Sequence, residues 1–143
     1  TLKKNILPIV VGTIVGSFTA IASIILMGRW FNLDWSVILS LIPKSVTTAI
    51  GLSISEAFDG IPAITVAGII ITGNFGALFC PSLAKLFKIK NPVAVGVAMG
   101  TCSHVTGTTK ALEIGEVEGA MSGLAIGCAG IATVLWCAIL PLS

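Results

Sequence analysis

The sequence predicts an all-α, polytopic membrane protein with little or no soluble domain, and three observations carry that prediction. First, 55% of the 143 residues are hydrophobic and only 10% are charged, whereas soluble chains run at about one quarter charged residues. Mean hydropathy is +1.07; a globular chain this short could not hide so much apolar surface from water. Second, three stretches carry no charge at all: Asn5 to Gly28, Ile61 to Ala84 and Gly119 to Ser143. Each exceeds the ~20 apolar residues that cross a bilayer core as a helix. Third, these stretches are continuous and do not alternate, so they predict helices and not barrel strands.

Other classes drop out on composition. Asn5 to Gly28 is too long for a signal peptide and has no small-residue cleavage pattern before a soluble body. The net charge of +2, without a basic cluster interleaved with aromatics, gives nucleic acid no footing. Cys80, Cys102, Cys128 and Cys137 show no paired metal spacing and sit in or beside apolar segments, as reduced packing residues do. The chain opens at Thr1 and enters a span almost at once. That start suggests a truncated N-terminus.

Between the spans runs a tandem similarity with a period of about 57 to 60 residues. GSFTAI (Gly16 to Ile21) answers to GNFGAL (Gly73 to Leu78), and GRWFNLD (Gly28 to Asp34) to AKLFKIKN (Ala84 to Asn91). An apolar piece follows in each copy, then a polar break: PKSVTT (Pro43 to Thr48) against GTCSHVTGTT (Gly100 to Thr109). GLSISEAFDG (Gly51 to Gly60) and ALEIGEVEG (Ala111 to Gly119) close the copies. The expected organisation is a single membrane domain: repeat one at about 6–60, repeat two at about 61–118, and a closing span at 119–142. Each repeat would be a span followed by an interrupted helix, broken or re-entrant.

Pro43 supplies the physical reason for the first break, since it lacks an amide hydrogen and clashes with the preceding turn. Ser45, Thr47 and Thr48 can bond the freed backbone groups; Gly100, Gly107 and a Ser/Thr cluster do similar work in the second copy. Irregular backbone at membrane depth is tolerated only when buried in protein or lining a wet cavity. Segments that cross fully would make the copies parallel, and re-entrant hairpins would make them inverted. Charge favours parallel copies, with Arg29, Lys85, Lys88 and Lys90 cytoplasmic and Asp59, Glu116 and Glu118 outside, although Lys3 and Lys4 then fall on the wrong side. The orientation stays open.

The runs IPKSVTTAIGLSISEAFDGIPAIT (Ile42 to Thr65) and GTCSHVTGTTKALEIGEVEGAMSGLAIG (Gly100 to Gly127) resemble the LrgB/CidB family of bacterial membrane proteins. The likeness covers nearly the whole chain from Asn5 onward. Departures are Ala49 where proline is usual, Val105 and Thr106 inside the second motif, and Lys110 where arginine is frequent. The resemblance implies additional N-terminal spans, this chain being roughly the C-terminal three-fifths, in a multi-pass protein of the bacterial inner membrane. It also implies two different activities. Bacterial members are described as antiholin-like or holin-like partners of a small LrgA/CidA-type membrane protein, acting on murein hydrolase activity and autolysis. Related plastid proteins carry glycolate and glycerate, and bacterial members have been connected with pyruvate.

The candidate site follows from the breaks. Lys44 lies between apolar half-segments, where an unpaired charge costs about 2.5 to 3.5 kcal/mol on insertion scales. With Ser45, Thr47, Thr48 and the amides of the next helix start it suits a carboxylate; otherwise it snorkels to the interface. Lys110, beside Ser103, His104, Thr106, Thr108 and Thr109, is its counterpart, so two cations would converge on one anion. The competing reading pairs Lys110 with Glu113 or Glu116. His104 offers a proton-coupling group with an ordinary pKa near ~6.5, or a local bond that steadies the break. Glu56 and Glu116 are further candidates for carrying protons if buried, and solvent-facing if not. The Gly positions of the spans, Gly12, Gly16 and Gly73 among them, suit helix packing, with the lipid-facing side open to a partner helix. Trp30, Trp35 and Trp136 fit interface anchors.

No nucleophile–base arrangement, phosphate loop or metal cluster is visible, so neither an enzyme nor a cofactor is expected. The leading expectation is a transporter or facilitator of small monocarboxylates, with the lipid bilayer, a carboxylate and a further copy of the chain (a homo-oligomer) as partners. The alternative is an antiholin/holin-like regulator working with an LrgA/CidA-type protein.

Overall fold

The computed structural model describes residues 2–142, with side chains from Asn5 onward. The described residues form six α-helices and no strand: α1 Leu2–Trp30, α2 Trp35–Leu41, α3 Thr48–Ala57, α4 Pro62–Leu86, α5 Pro92–Ile114 and α6 Glu116–Ile139. Asn5–Trp30, Pro62–Leu86 and Glu116–Ile139 are long and apolar enough to cross a membrane. Leu7, Leu26, Leu78 and Ile139 are among their largely exposed side chains, which suits a surface solvated by hydrocarbon and not by water.

Contacts along the helices fix their directions. Ile9 clusters with Met121 and Ala125; further on, Trp136 Nε1 donates to the Ile14 carbonyl at 3.2 Å and Phe18 lies 4.9 Å from the Trp136 ring. At the far end Ile21 packs with Cys137 and Leu142. α1 and α6 therefore run the same way. α4 runs against them, with Gly68 beside Leu41 and Lys44, Gly73 beside His104, and Pro81 to Lys85 near Lys90 and Glu118.

Two segments double back inside this frame. Pro43 has no amide hydrogen, and α2 gives way after Leu41 to a 3-10 turn, Ile42–Ser45. α3 then returns alongside: Gly51 faces the Pro43 carbonyl, and a Cβ there would sit 3.4 Å from it. Lower down, Ser40 Oγ accepts from Ile61 N–H at 2.6 Å. Thr65 donates to the Ser40 carbonyl at 2.9 Å and its oxygen lies 2.7 Å from the Ser55 hydroxyl. These three hydroxyl residues are fully buried. They tie both arms to α4.

α5 turns at His104, the one residue inside it with non-helical angles (φ 40, ψ −128). A Cβ on Gly107 would lie 2.6 Å from the Met99 carbonyl oxygen, although eight residues of straight helix span about 12 Å. Gly100 and Thr108 both meet Ser122, so the two arms of α5 lie side by side against α6. The segment enters and leaves at the same end of the bundle.

That geometry reverses the charge assignment favoured by the sequence. Arg29 stacks 5.8 Å from Trp35, whose Nε1 reaches the Leu142 carbonyl, at the C-terminal end of α6. Lys85, Lys90, Lys110 and Glu118 share a cavity at the opposite end, where Glu116 starts α6 and where α1 also begins. Arg29 therefore does not share a side with the lysines; Glu116 and Glu118 do. Two of the glycines expected to face lipid are a second correction. A Cβ on Gly16 would meet Thr101 and on Gly73 His104, because these positions let α1 and α4 close on α5, whereas Gly12 is exposed.

Gly100→Ala tests this packing. Its Cβ would strike the Ser122 carbonyl and approach Ala125 Cβ to 2.9 Å; backbone yields little, and overpacking of this kind costs about 1–3 kcal/mol. A lowered melting temperature in detergent is expected for Gly100→Ala, with Gly123→Ala and Gly127→Ala unchanged, since a Cβ at either of those meets nothing within 4 Å.

Candidate functional site

The two turns approach each other from opposite ends of the bundle and line one cavity of about 620 Å³. Lys44 and Ser45 come from the first turn and Thr101 and Cys102 from the approach to the second. α1 adds Gly16, Thr19 and Ser23, and α4 adds Thr72, Phe75 and Gly76. Small residues on α1 and α4 leave the space, and the two turns supply its polar ends.

Lys44 is the only charged side chain among the described residues that line this cavity. Its Nζ reaches Ser45 Oγ at 3.4 Å, a weak contact that leaves most of its donor capacity unused. Three neighbouring hydroxyls have already committed their hydrogens to carbonyls of their own helices: Thr19 to Val15 at 2.8 Å, Ser23 to Ala20 at 2.8 Å and Thr101 to Val97 at 2.7 Å. The ammonium, with the uncommitted hydroxyls of Ser45 and Thr72, is the charged donor on offer and is suited to an anion or to ordered water.

The second turn rests on α4. His104 is 5% exposed, and its Nε2 lies 3.1 Å from the Ile69 carbonyl. A carbonyl only accepts, so that nitrogen carries the hydrogen. Gly73 and Gly76 make room for the turn; a Cβ on Gly73 would lie 2.7 Å from His104 Cε1, and one on Gly76 would overlap Ser103 Oγ. Ser103 Oγ is buried with no hydrogen-bond partner among the described residues. His104 thus spends one of its two ring nitrogens on holding a strained, positive-φ turn.

The other sequence candidates lie elsewhere. Thr47 precedes α3 without a side-chain cap bond, and Thr48 is exposed. Thr106 faces Gly73, Thr108 bonds the His104 carbonyl and Ser122, and Thr109 donates to Val105. Glu56 and Glu116 are exposed. Lys110 pairs with Glu113 at 2.5 Å and lines a different cavity from Lys44. The turns converge; the two lysines do not. Thr19, Ser23, Thr72, Thr101 and Cys102 escaped sequence reasoning. The signal available for the first two was the Gly12–Gly16–Thr19–Ser23 spacing, which puts small and polar residues on one face of α1. Among the described residues no group of three His, Cys, Asp or Glu side chains is placed to hold a metal.

Three apolar helices of spanning length, two of them lining the cavity that holds Lys44, define a multi-pass membrane protein of α-helical class. The chain belongs to the LrgB-like family, whose model matches residues 1–142. It is 39% identical over 138 residues to the antiholin-like protein LrgB of Bacillus mycoides (strain KBAB4) and to that of Bacillus cereus (strain B4264), covering 94% of this chain and 58% of each relative. It is also 39% identical over 133 residues to the uncharacterized protein YwbG of Bacillus subtilis (strain 168), covering 93% of this chain and 59% of that one. The chain thus spans a little under three-fifths of the length of these relatives. No solved structure was found to match it.

Cysteine chemistry tests whether the cavity is wet. Cys102 lines it, while Cys137 is 2% exposed in the apolar core. In single-cysteine variants, a small water-soluble thiosulfonate is expected to label Cys102 and to leave Cys137 unmodified. Labelling of Cys102 by lipophilic reagents alone would mean a dry cavity.

Proposed function

We propose that this chain is a membrane-embedded part of an antiholin-like protein in the bacterial cytoplasmic membrane. It restrains murein hydrolase activity and autolysis together with a small LrgA/CidA-type membrane protein. The observation that carries this reading is the likeness, over 94% of the chain, to proteins named antiholin-like protein LrgB. The fold supplies a surface for such a partner. Gly123 and Gly127 sit one turn apart on the exposed side of α6, with nothing within 4 Å of a Cβ at either. Without a hydrophobic effect between lipid and protein, spanning helices associate through such small-residue faces.

The test replaces one glycine by a bulky residue in the full-length protein. Gly127→Leu is expected to leave folding unchanged, abolish co-purification of the tagged partner, and raise the autolysis rate to that of a strain lacking the protein. Normal partner recovery and normal autolysis would remove the surface assignment.

A second reading rests on the Lys44 cavity. An ammonium kept at the junction of two back-turned segments is costly in a membrane, and the cost has a purpose if the cavity receives a small monocarboxylate of the glycolate, glycerate or pyruvate class. Related in the same way, α1 with the α2–α3 segment and α4 with α5 form two repeats of opposite orientation, each a span followed by a re-entrant helix, as in carriers that bind substrate near mid-membrane. Labelled glycolate or pyruvate uptake into vesicles is expected to fall at least tenfold for Lys44→Ala and to stay unchanged for Lys110→Ala. Equal uptake by wild type and Lys44→Ala would end this reading and leave the first untouched.

A further inference from the structure

Lys110, set apart from the Lys44 cavity, belongs to a second cluster. A cavity of about 360 Å³ at the lysine-rich end of the bundle is rimmed by Lys85, Lys90 and Lys110. Lys85 lies in the last turn of α4, Lys90 precedes α5, and Lys110 comes from the returning arm of α5. Three segments thus bring cations to one place. The floor is different in character, with Pro81, Ala84, Ile89, Val95 and Ile114 presenting apolar surface. The cavity sits where α4 leaves the length that crosses a membrane, the depth of lipid headgroups.

Two carboxylates stand near these lysines, one in an ion pair and one at a helix start. Glu113 pairs with Lys110. Glu118 lines the cavity, but its carboxylate folds back over Gly115, at the positive start of its own helix. The first amides of α5 are also taken, because Asn91 Oδ1 accepts from Val93 and Ala94. Lys85 and Lys90 have no ion-pair partner among the described residues. What remains is a cationic rim over an apolar floor.

From this arrangement we infer that the cavity binds an anionic phospholipid, its phosphate between Lys85, Lys90 and Lys110 and the start of an acyl chain along the apolar floor. Basic pockets between spanning helices hold anionic headgroups in this manner. A free phosphate would use the lysines and waste the floor; a zwitterionic lipid carries its own cation to the rim. The site is independent of both functional readings above, since it shares no residue with the Lys44 cavity or with the exposed glycines of α6.

The experiment measures the melting temperature of the purified protein in neutral detergent with added phosphatidylglycerol, phosphatidylcholine or inorganic phosphate. Phosphatidylglycerol is expected to raise it for wild type and for Lys88→Gln, which changes a lysine outside the cavity. It should not do so for Lys85→Gln/Lys90→Gln/Lys110→Gln. Phosphatidylcholine and phosphate should leave wild type unshifted. An undiminished shift in the triple variant, or an equal shift with phosphatidylcholine, would overturn the assignment; an equal shift with phosphate would overturn its lipid part. If the triple variant does not fold, the amount of phosphatidylglycerol retained by Lys85→Gln/Lys90→Gln decides: a loss supports the site and wild-type retention refutes it.

Discussion

A peptide group that leaves helical geometry inside hydrocarbon finds no water to bond, so every turn at membrane depth must be paired by the protein itself. Nearly all of the specific polar structure in this chain answers that demand. Ser40, Ser55 and Thr65 bind the base of the first turned segment to α4, and His104 binds the tip of the second to the Ile69 carbonyl. Elsewhere hydroxyls merely return to their own helices, as Thr13 does to Ile9 at 2.9 Å. The long-range contacts made by hydroxyls and the imidazole cluster at the turned segments, while the indoles of Trp35 and Trp136 tie the spans and their ends together.

Glycine completes the same solution by steric means. Gly73 and Gly76 on α4 and Gly100 and Gly107 in α5 all stand where a Cβ would strike the turned segment, its neighbour or α6. Close approach matters doubly here. Dispersion between tightly packed helices is a main attraction left when lipid is as apolar as the protein, and it excludes lipid from the turn. Ser103 shows the residue of that compromise: packed hard against Gly76, it is held in the turn with its hydroxyl unpartnered.

The three spans were legible in the sequence because absence of charge over a bilayer's thickness needs no knowledge of tertiary structure. The polar stretch around Lys44 was legible for the same reason, with Pro43 as a local mark. The second turn was harder. Its pivot is His104, not a glycine or proline, and a positive φ at such a residue is imposed by tertiary contacts that no local propensity records. Without the direction of the chain after residue 104, the side of the membrane on which Lys110, Glu116 and Glu118 lie could not be fixed. The same ignorance merged Lys110 with the Lys44 site and turned Gly16 and Gly73 toward lipid. Glycine carries no side chain to betray which way it faces.

The corrected directions also remove a conflict that the charges alone had left. Lys3 and Lys4 belong to the first turn of α1, at the end of the bundle that carries Lys85, Lys90 and Lys110. The other end holds Arg29, with Asp34 and Asp59 in the connections flanking α2 and α3 and Glu56 in the last turn of α3. Lysine and arginine excess, and not net charge, orients a membrane protein. The carboxylates Glu113, Glu116 and Glu118 among the lysines therefore do not cancel the lysine excess of that end. A fully crossing α5 would have split these lysines between the two faces. The backward turn at His104 gathers them on one.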